Sequence, residues 1–463
     1  MKVRSLVLAL AATCGALGTP AFAKDVAADV AGEIGTRSAL LQSRITKEMR
    51  AAAGIGDAIE GWARFEAADN PEFSHPVVTE WVKIRPENDF VVKYMYGKRS
   101  DESLEGGTNY FWRVKYGQSP AHVTTGDTNT FTTMSGSLES RAVRIAVVQG
   151  IDPSSPKLAT ALDTVAATKP DYVVFAGNSV VYDDAAAATT EETMRAKWHA
   201  LLAQPKLVDL LGQVGSYWMK NDRDFRFAGA DTTGERAPSA ELGANVFREQ
   251  IPITDPRDPT SLTFRSVQAT RDLALWLMEV RDYRSANNAA DNKDKSLWGP
   301  SQADWMERNV LTTPSAFRLV IQPSAIVGPD ASTDSHVTAF KHERQAFLDH
   351  VKANKLAEQG LISIVGGNAQ YVSTSPEGLQ EISVGSLTAP AGVAPASGNV
   401  QVDFAGLPTA GFALIEVSAG VATIPAIGTT PAKPGVPSVL KISLINAETG
   451  AVVHTVTRTA KVE

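Results

Sequence analysis

Three short stretches of this 463-residue chain gather side chains that could do chemistry, and each follows an apolar run. They are Ala176-Gly177-Asn178-Ser179-Val180-Val181-Tyr182, Tyr217-Trp218-Met219-Lys220-Asn221-Asp222-Arg223-Asp224 and Val365-Gly366-Gly367-Asn368-Ala369-Gln370-Tyr371. Asp222 and Asp224 could offer oxygen to a cation. Arg223, set between them, cannot, because a guanidinium has no lone pair and stays protonated. It is suited instead to an oxyanion such as phosphate or a carboxylate, which it can hold through paired N–H donors. Asn178, Asn221, Asn368, Gln370 and, earlier, Gln149 are amides that hydrogen-bond without bringing charge. The plainer reading of Asp222, Arg223 and Asp224 is a salt-bridge cluster that serves only the fold. His199 and His336 stand apart in sequence, and isolated histidines of this kind are more often structural than catalytic. The serines and threonines nearby have no His-Asp partner in a recognisable spacing, which leaves a serine-hydrolase mechanism without support.

The elements that must position these residues read as α/β from Arg144 onward. Apolar strands are expected at 144–148, 171–175, 214–219, 273–280, 317–321 and 361–365, with helices at 158–168, from about 190, at 301–311 and at 337–355. Ligand sites in such folds lie in the loops beyond the carboxyl ends of the strands, where all three stretches fall. Before that, residues 75–141 alternate as short strands broken by turn clusters such as Glu105-Gly106-Gly107, the pattern of a small β-sandwich. Residues 24–74 are Ala-rich, with Leu40, Leu41, Ile45 and Met49 at helical spacing, so an amphipathic helical arm is expected there. The segment 142–463 carries the α/β region and further C-terminal strands, with a Pro- and Gly-rich loop at 423–437.

Lys2 and Arg4 precede an apolar run, and Ala21-Phe22-Ala23 supplies small residues at cleavage spacing. Residues 1–23 therefore read as a secretory signal peptide, placing the protein in a periplasm or outside the cell. No later stretch is long and apolar enough to span a bilayer. Cys14 is the only cysteine and lies in that leader, which excludes disulfide scaffolds, thiolate metal sites and cysteine nucleophiles from the mature chain. The formal net charge is −7, and removing the leader takes two bases and no acid. An acidic chain with no basic run argues against nucleic acid as a partner.

The order of these regions resembles the alkaline phosphatase D (PhoD-like) branch of the metallophosphoesterases. The resemblance is carried by Tyr110-Phe111-Trp112-Arg113-Val114 in the β-domain and by Lys197-Trp198-His199 and Ser216-Tyr217-Trp218-Met219-Lys220 beyond it. Further on it continues in Arg281-Asp282-Tyr283-Arg284-Ser285, Trp298-Gly299, Ile326-Val327-Gly328-Pro329-Asp330, His336 to Phe340 and Gln370-Tyr371-Val372-Ser373. It implies an αββα sandwich behind a small fibronectin/Ig-like β-sandwich, and phosphoester hydrolysis at two metal ions that lower the pKa of a bound water. It also implies that the ligand motifs are degenerate. The family's Gly-Asp-x-x-Tyr loop falls on 177–181, where Asn178 stands for the bridging Asp and Val181 for the Tyr. Its Asp-Asp-His-Asp segment falls on 221–224, where Asn221 has lost a charge and Arg223 replaces the imidazole. Its Gly-Asp-x-His loop falls on 365–368 or 367–370, placing Asn368 or Gln370 where a His should be. The first-strand motif ends in Gln149-Gly150.

The resulting expectation is a phosphatase fold with a decayed dinuclear site, non-catalytic or anion-binding, with no cofactor. In the sharper alternative to a salt-bridge cluster, Arg223 fills the vacated metal position and binds an anion together with Asn178, Gln149 and Asn368 or Gln370. The ligand called for is phosphate or a phosphoester. The alternative is a divergent phosphoesterase using calcium, iron, manganese or zinc through Asp222, Asp224, Asp183 or His336.

Overall fold

The computed structural model describes residues 27–55, 60–258, 260–389, 392, 400–406, 408–423 and 434–461. The expected leader at 1–23, and most of the expected loop at 423–437, lie outside the described residues.

Two mixed sheets form the centre. In the first, Val143–Val148, Tyr172–Ala176 and Gly215–Met219 run parallel. In the second, Leu273–Leu277, Phe317–Gln322, Leu361–Val365 and Gln380–Val384 run parallel. Every residue of Tyr172–Ala176, Gly215–Met219 and Leu361–Val365 is buried. That is the mark of parallel strands covered on both faces, and it explains why apolar residues dominate them, with Ser216 and Ser363 the polar exceptions.

Alternation along the strands sorts the side chains into layers. Val147, Val174 and Tyr217 meet Leu275, Leu319 and Ile364 in the core between the sheets. On the outer side of the first sheet, Val148, Phe175 and Trp218 pack under the helices Leu158–Ala167, Glu191–Leu202 and Ala240–Gln250. On the outer side of the second, Trp276 and Val320 pack under Pro300–Thr312 and Lys341–Ala353. The architecture is the expected αββα sandwich. Sequence sets the helix ends locally: Thr190 and Thr193 form a capping box ahead of Glu191 and Glu192, whose charges suit the first turn. Among the described residues no helix is long and apolar enough to cross a membrane.

A third, six-stranded sheet is built from Gly61–Ala68, Asn109–Ser119 and four shorter strands. Its Phe65, Trp112 and Val114 share one core with Leu41, Tyr94 and Tyr96 at the far end of the nine-stranded sheet. The N-terminal β-layer and the αββα core are thus joined through a continuous apolar interior.

The helical arm expected at 24–74 is corrected by the structure. Val30–Gly32 and Ala39–Arg44 are strands of the nine-stranded sheet, and among the described residues of this segment α-helix is confined to Lys47–Ala52. The reason is tertiary. Ala39–Arg44 has a strand on each side, Val30–Gly32 and Val91–Tyr96, so both faces of the Leu40-Leu41 pair are buried. Apolar residues spaced for a helix are recruited into a sheet interior.

Candidate functional site

The carboxyl ends of the parallel strands open into one cleft of about 520 Å³. Its lining comes from the loops after Val148, Ala176, Met219, Gln322 and Val365, together with Arg281. Close approach of these loops dictates glycine at 177. Its φ is +95°, and a Cβ there would come within 2.8 Å of Asn221 Cβ and 3.2 Å of Pro323 Cβ. The next residue, Asn178, also has positive φ at 51°, a conformation Asn tolerates better than most residues.

The expected site residues divide into two groups. Gln149, Asn178, Asn221, Asp222, Arg223 and Asn368 line the cleft. Asp224, His336 and Gln370 do not.

Asp224 is fully buried and faces inward, accepting from Ser179 N at 2.9 Å and Asn221 N at 2.6 Å. Burial raises its pKa to about 7 against the lowering effect of those two amides. It ties the first two loops together, and its lone pairs are turned away from the cleft.

His336 is buried in the second outer core, 3.0 Å from Glu343 Oε2 and edge-on to Trp298. Gln370 is also buried, and its Nε2 donates to the carbonyls of Val384, Phe412 and Ile445, across both sheets. Between the two registers of the third loop, 365–368 therefore faces the cleft. Tyr182 is a core residue whose hydroxyl accepts from Trp198 Nε1 at 2.7 Å. His199 pairs with Asp89, outside the cleft.

Within the cleft, Gln149 Nε2 donates to Gly367 O at 2.6 Å, fixing its amide across two loops. Asn178 Oδ1 accepts from Arg223 N at 3.2 Å. Asp222 accepts from Arg223 N at 3.0 Å and Gly229 N at 2.8 Å, one bond to each carboxylate oxygen. Arg223 lines the cleft and is tied to a neighbouring loop. Its Nε donates to Asp183 Oδ1 at 2.7 Å, and its side chain is 40% exposed.

The buried cation is Arg281, which sequence reasoning did not place in the site. It is 1% exposed. Its Nη2 donates to Asn221 Oδ1 at 2.5 Å, and its Nη1 donates to Asp334 Oδ2 at 2.6 Å and Ala230 O at 2.7 Å. Arg284 adds a bond to Asp334 O at 2.6 Å. Burial alone would raise the Asp334 carboxyl, but Arg281 and Arg284 hold it below the usual carboxylate range. The signal for Arg281 was its position just past the strand expected at 273–280. Below the cleft floor, Lys220 Nζ lies 2.8 Å from both Glu279 Oε2 and Asp282 Oδ1.

The solved structure of PhoD superposes on this chain with a TM-score of 0.69, covering 94% of this chain and 92% of that one at 15% identity. The fold is that of PhoD. A purple acid phosphatase from yellow lupin, Lupinus luteus, shares the architecture with a TM-score of 0.63 over 94% of this chain and 74% of its own, at 10% identity. No family model and no curated protein matches the chain.

Two metal ions do not fit the donors that this PhoD fold presents here. Hard cations require several unhindered anionic oxygens or imidazoles. Asp222 accepts backbone amides on both oxygens, Asp330 accepts from Ser332 N and Oγ, and Asp334 accepts from Arg281. No imidazole lines the cleft. Among the described residues no group of three or more His, Cys, Asp or Glu side chains is placed to hold an ion.

Proposed function

We propose that this chain is an exported PhoD-fold protein that does not hydrolyse phosphoesters and instead binds a ligand of phosphate or phosphoester type in its cleft. The observation that carries the reading is the Arg281–Asn221 contact: a fixed positive charge lies against the side chain that replaces a ligating carboxylate. A cation brought to the same atoms meets that charge at close range, in surroundings with little solvent to screen it. The proposal of export rests on Lys2, Arg4 and the apolar run that follows them. Recovery of a mature chain lacking residues 1–23 from the medium or periplasm tests it by mass.

A divergent hydrolase is the second reading, favoured by Asp222, Asp330 and Asp334 lining one cleft. One experiment decides between the two. Metal content is measured on the purified mature protein, and hydrolysis of a phosphomonoester and a phosphodiester is assayed with added calcium, iron, manganese or zinc. Stoichiometric metal with turnover abolished by Asp222→Ala sinks the non-catalytic reading; absence of both supports it.

A further inference from the structure

Two polar atoms at the cleft are buried and have no hydrogen-bond partner among the described residues: Arg281 Nε and Ser324 Oγ. They differ from the rest of the site, where polar groups are tied to neighbouring loops. Arg281 is anchored through Nη1 to Asp334 and Ala230 O and through Nη2 to Asn221, so its guanidinium cannot swing toward solvent. Its Nε–H is left over. Nε and Nη2 lie on one edge of the guanidinium plane, the edge that holds two oxygens of a tetrahedral anion side by side. A buried donor without an acceptor carries a desolvation cost that a ligand oxygen removes.

The charges around this position restrict what the oxygen can belong to. Three carboxylates line the cleft, Asp222, Asp330 and Asp334, against two guanidinium groups, Arg223 and Arg281. Behind them, Asp183 pairs with Arg223 and Arg284 with Asp334, which adds one charge of each sign. The lining groups and these two partners therefore sum to one net negative charge. An anion with a single charge is held by Arg281 at modest repulsion, and a second charge on the ligand strengthens the repulsion without adding a donor.

We infer that Arg281 and Ser324 form a metal-independent binding site for a singly charged tetrahedral oxyanion, the head group of a phosphodiester or a sulfate monoester, in preference to a dianion. This rests on the reading that the cleft holds its ligand without two metal ions. Arg281 supplies the fork and the charge, and the Ser324 hydroxyl supplies a further neutral donor.

The test uses the full mature chain after treatment with a chelator, at pH 8 and low salt, titrated calorimetrically with dimethyl phosphate, methyl sulfate and inorganic phosphate. At least one monoanion is expected to bind about tenfold or more tightly than inorganic phosphate, whose second charge is repelled. Whether dimethyl phosphate or methyl sulfate binds better identifies the source of the oxyanion. Arg281→Lys keeps the charge but loses the fork and is expected to weaken binding about tenfold or more. Ser324→Ala breaks no contact of the fold and is expected to weaken binding by about three- to tenfold. The inference is overturned if no anion binds, if inorganic phosphate binds as tightly as the monoanions, or if Ser324→Ala binds like wild type. It is equally overturned if binding is lost in Arg223→Ala and kept in Arg281→Lys. Hydrolysis with added metal in a protein that still binds the monoanion metal-free would remove the non-catalytic reading alone. No hydrolysis, together with inorganic phosphate binding as tightly as the monoanions, would remove this inference alone and leave the phosphate-binding reading standing.

Discussion

Arg281 and Asn221 stand 60 positions apart in the chain, and their side chains meet at 2.5 Å in the cleft. The contact joins the loop after Gly215–Met219 in one sheet to the segment after Leu273–Leu277 in the other. A guanidinium thereby bridges the two halves of a fold shared with PhoD, and most of the surrounding polar groups serve to hold the loops in place.

Asp224 should make stability depend on pH in a direction opposite to ordinary acid denaturation. Its folded pKa is raised from 3.8 to about 7 by burial. Between those values the folded state holds the proton and the unfolded state does not, so stability from this group rises as pH falls from about 7 and is lost as pH climbs through it. Compared with Asp224→Asn, wild type should gain up to about 1.4 kcal/mol per pH unit on going from pH 7 to 5. Urea denaturation of both proteins at pH 5, 6, 7 and 8 checks this; parallel pH profiles would show that Asp224 does not titrate in that window.

Lys220 holds two buried carboxylates together, with Arg248 as the further partner of Asp282. Lys220→Met leaves Glu279 buried without its counter-ion and should cost about 3–5 kcal/mol. The midpoint of chemical denaturation reads the loss. A change below about 1 kcal/mol, the range of an exposed pair, would contradict the buried network.

Gln370 is predicted to matter for stability and not for ligand. Its Nε2 donates to three carbonyls, and Gly385, Gly406 and Gly411 pack directly on its side chain. Gln370→Leu strands those carbonyls and should cost about 2–3 kcal/mol. Anion affinity of the folded variant should remain within about twofold of wild type, since independent sites contribute separately.

Glu381 holds the wall of the cleft. It is fully buried and accepts from the backbone N–H groups of Ile326, Val327 and Gly328, from Tyr371 Oη and from Ser363 Oγ. Glu381→Gln replaces one acceptor oxygen with a donor facing backbone donors, and should cost about 2–4 kcal/mol. Hydrogen exchange at the amides of 326–328 should accelerate more than at the strand amides of Phe317–Gln322. Uniform acceleration across both would mean that the carboxylate supports the whole fold and has no special hold on this loop.

The parts of the structure legible in sequence are those decided by short-range pattern. Residues 145–148 and 172–175 are continuous apolar runs, and 361–365 is one broken only by Ser363, because parallel strands are covered on both faces, and the loops after them fall at the cleft as expected. Leu40, Leu41, Ile45 and Met49 fit a helix as well as a strand, and what decides is pairing with residues far along the chain, Gly215 through Val30–Gly32 on one side and Val91–Tyr96 on the other. Asn368 and Gln370 differ by two positions, yet one lines the cleft and the other crosses the core, because the strand Gln370–Thr374 begins between them. Arg281 followed a predicted strand but matched no ligand type. Its role emerges only where Asn221 and Asp334, on separate loops, converge on it.

The strand Val30–Gly32 lies between Ala39–Arg44 and Gly215–Met219, with Ala31 opposite Gly215. Synthesis or translocation therefore delivers it long before one of its neighbours exists. The segment must wait for about two hundred further residues before the sheet interior can close, a connectivity of high contact order that implies slow folding. The β-layer and the cleft should accordingly melt in a single calorimetric transition, and the anion should act on that transition as a whole. Catching the ligand at the strand ends would thus stiffen Val30–Gly32, a strand that does not line the cleft.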